Sequence, residues 1–288
     1  MSLGRDDAHV VFDNRFDKPA TMTKESAYLA FPFALSEPVV HYEITGALTG
    51  TGLEHVPGAP QHMRAVRSFV SLEDAGGPVA WVTRDAPLVQ PETIALPYAP
   101  FPDSTSPRQP GTVYSWVHNN LWDTNFPSQQ AFHTTFRYAV GVRRRGERIS
   151  ADALAVRTAY EIDHPLVGVP AHGAPDGGRP AVFALLSLDD AQVKVVDVTP
   201  VAVGGGAGGD AGATGTAREA AGAGADVLVR LQSYATEART VRLRCGFPVT
   251  GAERATYLGD PLGPAGLDGA DILVEIPRLG SAAVRVRL

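Results

Sequence analysis

Residues 114–140 read YSWVHNNLWDTNFPSQQAFHTTFRYAV. Aromatic and β-branched residues recur at alternate positions on both sides, which predicts two strands. Between them, HNNLWDTNFPSQQ (118–130) packs amides, an aspartate and a tryptophan into one short connection. Asn and Asp bond nearby backbone and tolerate left-handed conformations, so Asn119, Asn120, Asp123 and Asn125 suit a tight corner. Trp122 and Phe126 would pack beneath it, and Pro127 would stop strand pairing. The same residue types suit the rim of a sugar site, where amides bond hydroxyls and Trp122 stacks on an apolar ring face. Asn119, Asn120, Trp122, Asp123 and Asn125 are therefore the candidate rim residues, and corner, rim and independent sugar site stay open as readings.

Working outward, the period of two persists. VVHYEI, RAVRSFVSL and VAWVT precede the quoted stretch, and 23 prolines and 30 glycines punctuate the chain as turns. One helix is expected, about ten residues in SADALAVRTAY, with Ser150 as its cap and Asp152 favouring its first turn. The Pro- and Gly-rich stretch after it marks a boundary, giving a first domain over 1–165, a linker over 166–180 and a second domain over 181–288. Seven short strands from AVFALLSL to SAAVRVRL predict a β-sandwich there. Its alternation, as in VRVRL, sets one face on a core and one in water. Within it, 204–225 is almost all Gly and Ala and reads as a loop, because it offers too little apolar surface to offset its ordering entropy.

Hydrophobic residues at 44% and charged residues at 19% fit a globular chain with a sizeable core. A net charge of −6 leaves no basic field for nucleic acid or an anionic membrane. The one basic cluster, Arg143–Arg145, reads as a solvated turn. No apolar run approaches the roughly 20 residues that span a bilayer. The single cysteine, Cys245, excludes an intrachain disulfide and a cysteine-based zinc site. It reads as a small strand residue in a reducing, cytoplasmic setting. MSLGRDDAHVVF lacks the features of a signal peptide, and Met1–Leu3 reads as a leader on a piece cut from something longer.

The chemistry search is sparse. No histidine pair has the H-x-x-x-H spacing of a metal helix, and no G-x-S-x-G elbow occurs. Asp7, His9 and Asp13 share a face of an extended strand, but terminal polar residues are ordinarily solvated. His164, before a proline, reads as a turn residue. Glu73–Asp74 and Asp189–Asp190 sit in turn sequences, not across a sugar as a paired acid and nucleophile would. No catalytic residue, metal ligand or cofactor is assigned to this chain.

The order of segments resembles the C-terminal, non-catalytic β region of glycoside hydrolase family 38, the α-mannosidase family. DKPATMTKESAYLAFPF looks like the strand that opens that region. VPGAPQHMRAVRSFVSLED with WVTRDAPLVQ is similar to its following strand pair and Asp-Ala-Pro-Leu-Val turn. YSWVHNNLWDTNFPSQQAFHTTFRYAV resembles its Asn-Asn-aromatic-Trp segment, and the last hundred residues look like its terminal sandwich. The Arg-Arg-Leu and Asp-Asp segment of the lysosomal and Golgi branch has no counterpart here. The resemblance implies an all-β fold, a mutarotase-like β-supersandwich portion followed by a smaller β-sandwich. It implies that zinc, nucleophile and acid belong to an N-terminal barrel, with which this chain would pair and whose α-mannoside site it would border. Two other classes stay open. One is a freestanding carbohydrate-binding module using Trp81, Trp116 and Trp122. The other is an aldose epimerase using His118, His133 and Glu43.

Overall fold

The alternating runs become antiparallel strands, and the segment behind Ser150 becomes a helix. The computed structural model describes residues 1–3, 8–95, 109–121, 128–168, 183–201 and 226–288. The loop over 204–225 and positions 169–180 of the expected linker lie outside the described residues. The chain divides into two units, Met1–Leu166 and Val167–Leu288.

In the first unit the strands are β1 (His9–Lys18), β2 (Ser26–Pro32), β3 (Val39–Ile44), β4 (Ala47–Gly50) and β5 (Arg64–Ala65). They continue with β6 (Phe69–Asp74), β7 (Gly77–Thr83), β8 (Leu88–Pro91), β9 (Thr112–Asn119) and β10 (Phe132–Val142), followed by the helix α1 (Ala151–Asp163). Six strands form one sheet in the order β1-β10-β7-β6-β3-β4, and four form a second in the order β2-β9-β8-β5. The two quoted runs, β9 and β10, thus separate into different sheets. They are therefore not the two arms of one hairpin.

Phe31, Val89 and Val113 from the four-stranded sheet meet Tyr42, Val70, Leu72, Trp81 and Tyr138 from the six-stranded one. The centre is aromatic. Trp81 and Tyr138 stack at 5.4 Å, and Phe31 stands 5.5 Å from Trp81 and 4.9 Å from Tyr138, distances at which ring quadrupoles add to burial. The Tyr138 hydroxyl, buried in this layer, shares a hydrogen bond of 2.9 Å with Ser115 Oγ. Burial pushes its pKa up to about 12.

The opposite face of the six-stranded sheet carries α1, so β6 is buried from Phe69 through Leu72. Ser150 caps the helix, its Oγ accepting from the Ala153 amide, and Glu73 Oε2 accepts from the Ala151 amide at 3.0 Å. The helix is 13 residues long, a turn more than expected, and His164 closes it through its amide to the Tyr160 carbonyl. Gly141 on β10 is the seat. A Cβ there would stand 2.4 Å from Thr158 Oγ1, so only glycine lets the helix lie this close.

The second unit contains β11 (Leu186–Leu188), β12 (Val193–Val201), β13 (Asp226–Ser233), β14 (Arg239–Cys245) and β15 (Gly251–Ala255). After these come β16 (Pro261–Pro264), β17 (Gly266–Asp268), β18 (Asp271–Ile276) and β19 (Ser281–Arg287). They form sheets ordered β11-β14-β18-β17 and β12-β13-β19-β15-β16. The short strands β16 and β17, in a Gly- and Pro-rich stretch, had no alternating signal. Val229, Leu231, Val241, Leu243, Ile272, Ile276 and Val284 fill the space between the sheets. The fold is all-β, as read from the sequence, with two sandwiches of antiparallel strands.

Candidate functional site

The corner after β9 is where the candidate residues fall. Trp122, Asp123 and Asn125 lie outside the described residues. Asn120 is buried, and its amide is engaged by the chain's own backbone. Oδ1 accepts from the Glu25 amide at 2.5 Å, Nδ2 donates to the Thr23 carbonyl at 2.8 Å, and the Asn120 amide donates to the Glu25 carbonyl at 3.0 Å. One side chain thereby ties the segment entering β2 to the end of β9. Asn119 Oδ1 accepts from Ser26 Oγ at 2.9 Å and from the Leu121 amide at 3.1 Å.

Two polar atoms at this corner have no partner among the described residues: Asn119 Nδ2 and His118 Nε2. Burial lowers the His118 pKa, and the positive charge of Lys18 adds to the effect. Its imidazole is thus held neutral, able to donate from one nitrogen and accept at the other. Lys18 pairs with Glu25 at 2.5 Å and Asp17 faces His133 at 3.9 Å. The corner therefore offers an amide donor and a neutral imidazole beside the Lys18–Glu25 ion pair.

Next to it, β2 and β9 carry a row of aromatics. Tyr28 and Trp116 are stacked, with centroids 6.1 Å apart and planes 11° from parallel, and Tyr114 meets Tyr28 edge-on. All three are half-buried. Trp116 Nε1 donates to the His118 carbonyl at 3.0 Å, which fixes the indole toward the corner. Of the three tryptophans considered as a platform, Trp116 alone is described on a face of this kind. Trp81 is 0% exposed in the core, because its position in β7 places it on the inner side of the sheet.

The residues weighed for epimerase chemistry do not converge. Glu43 is fully buried on β3, with β6 and β7 between it and β10, while His118 belongs to the other sheet. His133 is largely exposed.

The structure does assemble a Ser-Asp-His set that sequence reasoning missed. His41 Nδ1 lies 3.0 Å from both carboxylate oxygens of Asp152, and Ser71 Oγ donates to Asp152 at 2.5 Å. It is not a nucleophile with its base. Ser71 bonds the carboxylate and not the imidazole, and His41 Nε2 faces the Thr51 carbonyl at 3.1 Å. With acceptors at both nitrogens, His41 is suited to the doubly protonated form. Burial opposes that charge, yet Asp152, the Thr51 carbonyl and Glu73 outweigh it and raise the pKa. The set fastens α1 to its sheet. Its members lie up to 111 residues apart, so only the fold brings them together.

The acids read as turn residues are only partly so: Glu73 and Asp74 end β6, Glu73 reaches the start of α1, and Asp189 accepts from the Arg242 amide of β14. Asp74 accepts from the Ser36 and Gly76 amides, and Asp190 accepts from the Gln192 amide. His9 faces Glu161 on α1 at 3.6 Å, and Arg143–Arg145 are exposed. Cys245 is half-buried on β14, and burial raises its pKa, which leaves the thiol protonated and unreactive. Among the described residues no group of three or more His, Cys, Asp or Glu side chains is placed to hold a metal ion, so the described residues do not fit zinc. No described helix is long and apolar enough to cross a membrane.

Each unit is a sandwich of antiparallel sheets, and solved structures share the fold. An α-mannosidase from Enterococcus faecalis V583 superimposes with a TM-score of 0.61 at 13% identity, over 98% of this chain and 28% of that one. A glycosyl hydrolase family 38 protein from Enterococcus faecalis gives 0.54 at 14% identity, over 98% and 29%. The chain thus has the fold of a segment of these family 38 structures and spans less than a third of their length. No family model and no curated protein matches the sequence.

Proposed function

We propose that this chain is the accessory β region of a zinc-dependent, retaining α-mannosidase-type glycoside hydrolase, with no turnover of its own. The observation that carries the reading is the match of nearly the whole chain to a minor part of an α-mannosidase. In this reading the first unit is part of a mutarotase-like supersandwich that packs on an N-terminal barrel. Zinc and the reacting carboxylates belong to that barrel. The corner borders its α-mannoside site, with Asn119, Trp122, Asp123 and Asn125 as its rim residues. Asn120, spent on backbone, positions the loop. The protein works in the cytoplasm.

The test is an assay of the pure chain on an aryl α-mannoside with and without zinc. No release of the phenol is expected, and zinc-dependent release would overturn the proposal. The gene upstream of the Gly4 codon is the second readout. A continuous frame of several hundred codons encoding a barrel is expected, and a frame that opens at Met1 would sink the accessory role.

The stacked Tyr28–Trp116 pair favours one alternative, a freestanding carbohydrate-binding module. Tryptophan fluorescence that shifts saturably with mannobiose, and loses that response in Trp116→Ala, would favour it over the accessory role.

A further inference from the structure

We infer that the mouth of the first sandwich, between β4 and β5, is a binding site for a small organic oxyanion, a carboxylate or phosphate monoester with an apolar body. The inference goes beyond the accessory role and does not rest on it.

β4 is the last strand of the six-stranded sheet, and β5 is the last of the four-stranded one. The chain joins these two edges directly, through residues 51–63. Gly52 and Gly58 turn that loop, with φ angles of 72° and 77° that favour glycine. Between the edges lies an open cleft of about 470 Å³, lined by Ile44, Thr49, Val56, Ala59 and Arg64, with Glu54 and His55 beside them. A cleft of that size suits a small molecule better than a bare ion.

Arg64 determines the chemistry. Its guanidinium stands over the Tyr42 ring, 5.4 Å from the centroid, and a terminal nitrogen donates to Gln61 Oε1. Nε is enclosed and has no acceptor among the described residues. Burial lowers the Arg64 pKa, and no carboxylate opposes the shift. A half-buried positive charge is thus met by a ring face and one neutral amide, where such groups ordinarily meet a carboxylate. An oxyanion in the cleft supplies that partner, because the planar guanidinium fork matches carboxylate and phosphate oxygens alike.

The walls fit the rest of such a molecule. Thr49 lies opposite Tyr42 in the β3–β4 ladder, so the two side chains share the inner face of the sheet. Its hydroxyl adds a second donor to the cleft. Ile44, two residues beyond Tyr42 on the same face, joins Val56 and Ala59 of the loop as apolar wall. Inorganic phosphate would leave that wall uncovered, which is why the ligand is organic. Glu54 is exposed, so water and salt screen its charge from an anion at Arg64.

The full chain should be titrated with phenyl phosphate and with benzoate while its two-dimensional amide spectrum is followed. Saturable shifts at Thr49, Ala59 and Arg64 are expected for at least one of them, and the tighter binder tells phosphate from carboxylate. Benzyl alcohol, neutral and similar in shape to benzoate, should bind at least roughly tenfold more weakly, for want of the charged hydrogen bonds. Arg64→Lys keeps the charge but loses the fork, and should weaken the anion by roughly tenfold. Thr49→Val keeps a β-branched side chain without the hydroxyl, and should weaken it by about threefold or more. Glu54→Gln removes a negative charge from the cleft and should tighten binding. Should Arg64→Lys not fold, as its amide spectrum would reveal, Thr49→Val and Glu54→Gln decide. No saturable shift with either anion at tens of millimolar overturns the inference, and so do shifts confined to other residues. Equal binding of benzyl alcohol overturns it as well, as does an affinity that Thr49→Val or folded Arg64→Lys leaves unchanged.

Discussion

The two sandwiches of this chain solve the same burial problem with different materials. In Met1–Leu166 the core is aromatic, with Phe31, Trp81 and Tyr138 in mutual contact. A helix covers the second face of its larger sheet. In Val167–Leu288 the core is aliphatic. Much of its outer surface is a lattice of cross-strand ion pairs, with Arg242 to Asp268, Arg244 to Asp271, Arg230 to Asp197 and Arg285 to Asp226. The first unit uses both faces of a sheet for packing. The second uses one and leaves the other in water.

That difference can be broken experimentally, beginning at the aromatic core. Trp81→Ala removes a fully buried side chain from the centre of the first unit, and a loss of about 3–5 kcal/mol is expected. All three tryptophans, Trp81, Trp116 and Trp122, fall in that unit. Denaturation followed by the fluorescence of the remaining two therefore reports it selectively. Ile272→Ala in the second unit, also fully buried, should cost about 2–5 kcal/mol. Its effect should appear in amide exchange of β14 and β18 and leave the tryptophan transition in place. A shared shift in both readouts would mean that the units unfold as one.

A smaller effect belongs to the helix clasp. His41→Ala leaves Asp152 buried with Ser71 as its remaining partner here, and a loss of about 1–3 kcal/mol is expected. The loss should depend on pH. The folded pKa of His41 lies above its unfolded value, so its contribution is complete below the unfolded pKa, about 6.5. It disappears as pH rises through the raised folded value. Urea midpoints of the parent and His41→Ala chains should therefore converge on the alkaline side, and a constant gap to pH 9 would refute the imidazolium. Glu147 gives the opposite sign. Its hydrogen bonds to Arg157 and the Arg144 amide hold its pKa near 2. Its contribution is present above the unfolded pKa and fades only as pH falls toward 2, which amide exchange at the start of α1 would record.

Least is expected from the ion-pair lattice. Arg242→Ala breaks an exposed pair with Asp268, which water and salt screen, so little or no shift of the urea midpoint is expected. A larger loss in urea denaturation would show that the outer ladder acts as a network.

The same contrast explains what the sequence discloses. β14, RTVRLRC, alternates cleanly because one face is wet, and the second sandwich could be read from such runs. β6 is buried from Phe69 to Leu72, on both faces, so its alternation is blurred although it remains legible as a strand. The helix was legible from Ser150 and Asp152, which act locally. Strand order was not, since β1 pairs with β10 across most of the first unit and no local pattern encodes it. The corner illustrates the same limit. An amide-rich turn could be seen in Asn119 and Asn120, but the Thr23 and Glu25 backbone that claims Asn120 lies more than ninety residues away. The clasp at His41 escaped notice because its members come from β3, β6 and α1.

Gly141 sets one more constraint. Because a methyl group at 141 would meet the hydroxyl of Thr158, the two positions share a fixed allowance of volume at the point where α1 rests on β10. A chain of this lineage that carries alanine at 141 should carry alanine or glycine at 158. The sum of the two side chains, more than either identity, then records how deeply the helix rides on its sheet.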